Sequence, residues 1–216
     1  MKERKALREL KDLTHGLLVF VGSGKEGKSC SSHSLCEILY PDCLKCIYDP
    51  ERQLKECPFP GYILVHELDE IPNGAIVFME DFSRLFGSRG SGNNKEAQEW
   101  LGTISHKDII VVITVQNTAG MDMEFFRSQN AILCLKKMHE EDVNFERVEH
   151  MEVQRAANRI LEQCAIANPT LDRRAFIYIP RYHEVIVVPV PPWWGYQHSH
   201  MLREVKVCRP KQKCSA

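Results

Sequence analysis

The sequence predicts an α/β fold: a mostly parallel central sheet flanked by helices, followed by a small C-terminal β-hairpin and a flexible tail. Three observations carry this. Short apolar runs recur along the chain, as GLLVFV (16–21), AIVFME (75–80), IIVVITVQ (109–116) and AILCL (131–135). Strands covered on both faces read this way, because neither side has to meet water. Stretches with helical spacing lie between the runs, and alternation of strand and helix favours parallel pairing. Finally, the first run leads straight into GSGKEGKS (22–29).

The elements follow in order. Leu7, Leu10 and Leu13 mark a short amphipathic helix. Residues 16–21 form a buried strand. A helix runs from the glycine-rich stretch to about Tyr40, with Leu35, Ile38 and Leu39 on its core side. Residues 44–48 and 62–65 are short strands, and Pro72-Asn73-Gly74 is a turn before the strand at 75–80. Residues 84–94 hold Gly87, Gly90 and Gly92 and read as a loop. Ala97, Trp100, Leu101 and Ile104 follow i, i+3, i+4, i+7, a helix with one buried side. Strands at 109–116 and 131–135 come next. A second amphipathic helix carries Val153, Ala157, Ile160, Leu161 and Cys164. Residues 176–179 and 185–190 flank Arg181-Tyr182-His183 as a hairpin. Residues 1–190 form one domain. Residues 191–216 form a Pro/Trp-rich segment and a tail with Arg203, Lys206, Arg209, Lys211 and Lys213 against Glu204.

Composition narrows the function. The 216 residues include 28 Lys and Arg against 29 Asp and Glu, a net charge of −1, which excludes a uniformly basic nucleic-acid binder. Hydrophobic residues are 44% and charged ones 26%, so a folded core is expected. No apolar run approaches the ~20 residues of a membrane span. The charged opening MKERKALRELKDL carries no signal peptide, so a cytoplasmic location is expected. Nine scattered cysteines in such a chain read as reduced thiols. Cys43 and Cys46 form a solitary C-x-x-C without a second pair, so zinc is not expected.

Gly22-Ser23-Gly24-Lys25-Glu26-Gly27-Lys28-Ser29 fits G-x-x-x-x-G-K-[ST], the phosphate loop of P-loop NTPases, between an apolar strand and a helix. Glycines let successive N–H groups turn inward around an anion, and the helix N-terminus adds its positive end. Lys28 is placed to reach the β- and γ-phosphates of ATP, and the Ser29 hydroxyl to bind Mg²⁺. A random chain of average composition would match about once in a hundred. Lys25 reads as a solvated lysine inside the loop.

A phosphate loop needs a second acidic site. The strand at 75–80 runs into Glu80-Asp81, two carboxylates at the carboxyl edge of a sheet. Glu80 takes the metal role by position and Asp81 the role of base for the attacking water. The order is reversed from the usual Asp-Glu. Gln116 ends the next apolar strand, where an amide can sense the γ-phosphate or position water. The three polar strand ends share the edge at which α/β folds place ligands.

In this order of features the chain resembles the FtsK–HerA superfamily of DNA-pumping ATPases. Its compact size is similar to that of viral genome-packaging ATPases of the archaeal turreted icosahedral virus type. The resemblance covers roughly residues 16–137. It implies an ATP-driven translocase of double-stranded DNA, acting as a ring (hexamer or pentamer) beside capsid or portal vertex proteins, with no membrane partner. It also implies an arginine supplied in trans, with Arg84, Arg89 and Arg127 as candidates. Arginine suits that role because its fork spreads charge over phosphate oxygens.

Two other readings differ in chemistry. A nucleoside-kinase-type phosphotransferase needs an arginine-rich lid and an acceptor pocket, whereas Glu80-Asp81 and Gln116 point to water as acceptor. A GTP-type switch needs an N-K-x-D segment, which the chain lacks. Of the remaining clusters, the acidic stretch 138–152 reads as solvated surface. Arg155 and Arg159 read as partners of Glu152 and Glu162. Trp193, Trp194 and Tyr196 read as packing against the domain or a neighbouring subunit rather than as base-stacking groups.

Overall fold

The computed structural model describes residues 4–80, 94–121 and 131–195. Its centre is an eight-stranded sheet: β1 (Gly16–Val21), β2 (Lys45–Tyr48), β3 (Tyr62–Val65), β4 (Ile76–Met79), β5 (Ile110–Val115), β6 (Ala131–Leu135), β7 (Phe176–Ile179) and β8 (Glu184–Val187). Their spatial order is β3-β2-β4-β5-β1-β6-β7-β8. The first six pair in parallel, and β7 and β8 extend the sheet antiparallel as the hairpin foreseen at 176–190. All six residues of β1 and of β5 are buried, as strands covered on both faces must be.

The helices are α1 (Lys5–Lys11), α2 (Lys28–Leu39), α3 (Asn94–His106), α4 (Glu140–Val143) and α5 (Val148–Ala167). Side chains alternate across a strand, so each strand feeds two cores. Leu17, Val19 and Val21 of β1 join Val77, Met79, Val111 and Ile113 beneath Trp100 of α3 and Ala157 and Leu161 of α5. Leu18 and Phe20 face the other way, with Ile76, Phe78, Ile110 and Val112, under Ala6 and Leu10 of α1 and Leu35 and Cys36 of α2. Each large aliphatic or aromatic side chain so covered contributes ~1.5–3 kcal/mol.

The N-terminus of α1 is clasped by the hairpin. Glu184 of β8 accepts from the Lys5 and Ala6 amides at 3.2 and 3.0 Å, and the Arg4 guanidinium donates to the Val185 carbonyl. Free amides at a helix start thus meet a carboxylate, which also suits the helix dipole.

Several expectations change. Ile38 is 55% exposed rather than on the core side of α2. It shares a helix face with Ser31 and Ser34, and those two are covered by the Arg174 and Pro189 carbonyls, a cover that ends short of Ile38. Val153 of α5 is 37% exposed, while Ala157 and Leu161 are buried and Ile160 and Cys164 pack beside them, as expected. The stretch 138–152 is not uniformly solvated. Glu146 is buried, its carboxylate accepting from the Thr118 amide at 2.7 Å and from the Thr118 hydroxyl. Arg155 pairs with Glu152 as expected, at 2.9 Å, and with Glu140 at 3.0 Å, whereas Glu162 takes Lys137 as its partner. Trp193 and Trp194 pack against the domain, facing His33 and Phe59. No helix among the described residues is long and apolar enough to cross a membrane.

Candidate nucleotide site

The site stands at the carboxyl edge of the parallel strands. In-register pairing of β4, β5 and β1 levels their ends, since Met79 is opposite Ile113 and Val21 opposite Val115. Gly22, Glu80 and Gln116 therefore leave the sheet at one edge, as their strand positions require. Asp81, Arg84, Arg89 and Arg127 lie outside the described residues.

Two glycines of the loop are demanded by geometry. Gly27 sits at φ +76°, left-handed backbone that a side chain opposes, and a Cβ there would lie 3.2 Å from Cβ of Arg174. At Gly22 a Cβ would meet Cβ of Lys136 at 2.7 Å and the Lys137 carbonyl at 3.0 Å. Gly24 has open space around it. Lys25 is exposed at φ +67°, consistent with a solvated side chain at a tight bend.

Lys28 opens α2. Its ammonium folds back into the loop and donates to the Gly22 and Ser23 carbonyls at 2.7 and 2.8 Å. This keeps a cation inside the ring of loop amides, where phosphate oxygens belong. Ser23 is fully buried, with its hydroxyl accepting from the His139 amide at 2.7 Å and donating to Asp142, so the turn into α4 braces the loop. Glu26 is buried too, with the Arg173 guanidinium at 3.5 Å and the His139 ring at 3.9 Å.

Ser29 and Glu80 come together as the sequence predicts. The Ser29 hydroxyl donates to Oε2 of Glu80 at 2.7 Å, and the Thr114 hydroxyl of β5 donates to the same oxygen at 2.8 Å. Oε1 of Glu80 lies 3.4 Å from Nε2 of His33. Burial pushes the Glu80 carboxyl up, but the His33 ring and the Ser29 and Thr114 hydroxyls outweigh it and hold the group below the usual glutamate range. A hydroxyl and a carboxylate in contact beneath a phosphate loop are hard oxygen donors of the kind Mg²⁺ takes. The residues present fit that ion.

Sequence reasoning did not find His33, Thr114 or Lys136. His33, on α2, is fully buried, stacked on Phe78 (4.0 Å between ring centroids) and on Phe59 (4.4 Å). Lys136, just after β6, is also buried. It donates to the Ser31 hydroxyl at 2.9 Å, to the Phe176 carbonyl at 3.0 Å and to the Arg174 carbonyl. Burial draws its ammonium down to about 8. The signal for it was a lysine at the end of an apolar strand, indistinguishable in sequence from a solvated strand end.

Comparison with known proteins agrees with this architecture. No family model matches the sequence, and no curated protein is similar to it. Solved structures do match. The genome packaging NTPase B204 from Sulfolobus turreted icosahedral virus 2, in complex with AMPPCP, superposes with a TM-score of 0.53 at 13% identity, over 82% of this chain and 98% of that one. B204, the DNA-packaging ATPase from Sulfolobus turreted icosahedral virus, gives 0.51 at 13% identity over the same shares. The class is thus set by fold and loop: a P-loop NTPase fold with a mostly parallel sheet. Within that class the chain resembles viral genome-packaging ATPases in fold.

Proposed function

We propose that this chain is an ATP-hydrolysing translocase of double-stranded DNA, a subunit of a ring-shaped motor (hexamer or pentamer) that packages a viral genome into a capsid. The observation that carries the hydrolase reading is the contact of Ser29 with Glu80 directly beneath the phosphate loop. The genome-packaging NTPases that share the fold support the choice of motor.

The residues divide the work. Amides of the loop and the start of α2 cradle the β-phosphate, and Lys28 exchanges a loop carbonyl for phosphate oxygens. Ser29 and Glu80 would hold Mg²⁺, which would supply positive charge against the phosphate oxygens. Asp81 accepts the proton of the attacking water, and Gln116 orients that water. Arg84, Arg89 or Arg127 of a neighbouring subunit reaches the γ-phosphate, so the ring completes each site. Several weak phosphate contacts add around the channel, which offsets the near-zero charge of one subunit.

The test is ATP turnover with and without duplex DNA at rising protein concentration. Turnover rises with DNA and, per subunit, with concentration. Mixing a Lys28→Ala subunit with an Arg89→Ala subunit, each inactive alone, restores part of the activity. Hydrolysis indifferent to duplex DNA and to concentration rejects the motor in favour of a monomeric hydrolase or kinase.

A further inference from the structure

His33, fully buried beside Glu80, is not explained by the phosphate chemistry above. We infer that His33 is a positioning residue that locks the Glu80 carboxylate in the orientation the metal side of the loop needs. The inference rests on the hydrolase reading and deepens it.

Glutamate has one more rotatable bond than aspartate, and its terminal torsion is broad. A glutamate in the metal position thus needs more restraint to keep one oxygen on Ser29. Ser29 and Thr114 both hold Oε2, which leaves the carboxylate free to swing about that oxygen. His33 lies at the other oxygen, with Nε2 3.4 Å from Oε1, and its ring blocks that swing on one side.

The ring is itself held from three sides. Phe78 and Phe59 stack on its faces at interplanar angles of 12° and 25°. Its Nδ1 lies 3.2 Å from the Tyr62 hydroxyl, and that hydroxyl donates to Glu37 at 2.9 Å. Trp194 lies 5.6 Å away, between ring centroids. A chain Glu80–His33–Tyr62–Glu37 therefore runs from the loop to the outer side of α2. A phenylalanine would fill the slot between Phe59 and Phe78 without burying polar nitrogens, whose desolvation is costly. Both nitrogens instead face oxygen atoms, and one of those oxygens belongs to the carboxylate beneath the loop.

The experiment compares His33→Phe, His33→Gln and Tyr62→Phe. It reads kcat and KM for ATP, thermal midpoint, and the Mg²⁺ concentration that half-saturates binding of a fluorescent ATP analogue. His33→Phe keeps the stack and the fold. Its kcat falls about 10–100-fold and its Mg²⁺ half-saturation rises, the scale seen when a partner that orients a metal ligand is lost. His33→Gln, whose amide can donate to Glu80, recovers part of both. Tyr62→Phe frees only the far side of the ring and gives a smaller fall in the same direction, which decides the matter if His33→Phe does not fold. Wild-type kcat and Mg²⁺ half-saturation in His33→Phe, or in Tyr62→Phe should His33→Phe not fold, overturn the role of His33 alone. A wild-type chain that neither hydrolyses ATP nor binds it with Mg²⁺ overturns the hydrolase reading and this inference with it.

Discussion

The phosphate loop presents backbone to its ligand, whereas the wall behind it is made of side chains: Glu80 after β4, His33 and Glu37 on α2, Tyr62 on β3, Thr114 on β5 and Lys136 after β6. The loop takes its shape from residues that follow one another, with Gly27 in left-handed backbone and Gly22 against Lys136. The wall takes its shape from residues tens to more than a hundred positions apart, joined only once the sheet has formed. At Gly24 a side chain would meet no other part of the protein within 4 Å. The wall has less slack, because Ser29, Thr114 and His33 all bear on one buried carboxylate.

The largest effect tests whether the two parts are separable. Lys28→Ala removes the cation in the loop and nothing from the wall. ATP turnover should fall at least about a hundredfold, a loss of ~2.7 kcal/mol or more in transition-state stabilisation. The thermal midpoint should stay within a few degrees. A large drop in that midpoint would mean that the loop and the wall stand or fall together.

Lys136→Met reverses the pattern. It keeps volume and leaves the Ser31 hydroxyl and the Arg174 and Phe176 carbonyls without their ammonium donor. Stability should fall by about 1–3 kcal/mol, read as a thermal midpoint several degrees lower. An unchanged midpoint would show that this buried ammonium braces nothing.

The smallest effect lies on the surface beside Gly27. Arg174 hydrogen-bonds Asp172 through its side chain, which together with the backbone amide outweighs desolvation and draws the carboxyl down to about 2. Both side chains are substantially exposed, so Asp172→Asn should cost less than about 1 kcal/mol at neutral pH. The sign follows from the lowered value: the contribution is complete above the unfolded carboxyl near ~3.9 and fades as pH falls toward 2. Denaturant midpoints of wild type and variant should therefore converge over that interval. A gap that widens instead would remove Asp172 as its source.

This division also explains what could be read in advance. GSGKEGKS declares its own backbone, because glycine positions encode turns and the Lys-Ser pair its ligands. The strands declare themselves because burial on both faces leaves nothing but apolar side chains, and the meeting of Ser29 with Glu80 follows once strand ends are placed at one edge. His33 could not be read, since SSHS at the start of α2 has the composition of a solvated helix. All four of those residues are buried. Ser31 and Ser34 are covered by backbone carbonyls and His33 fills an aromatic slot beside a carboxylate, so hydrophobic periodicity carries no signal there. Ile38 failed for the converse reason: it has the right phase, but its cover ends before it.

The clasp between Glu184 and α1 has a consequence for the order of events during synthesis. Ala6 and Leu10 are fully buried, yet the carboxylate that fixes the start of their helix lies 178 residues downstream of Ala6. On the ribosome α1 emerges long before β8 exists. Its first amides stay without that carboxylate while the intervening sheet is assembled, a long-range closure of the kind that slows folding. The clasp of α1 by β8 therefore forms only once β8 is present, and a chain interrupted before Glu184 carries that helix unclasped.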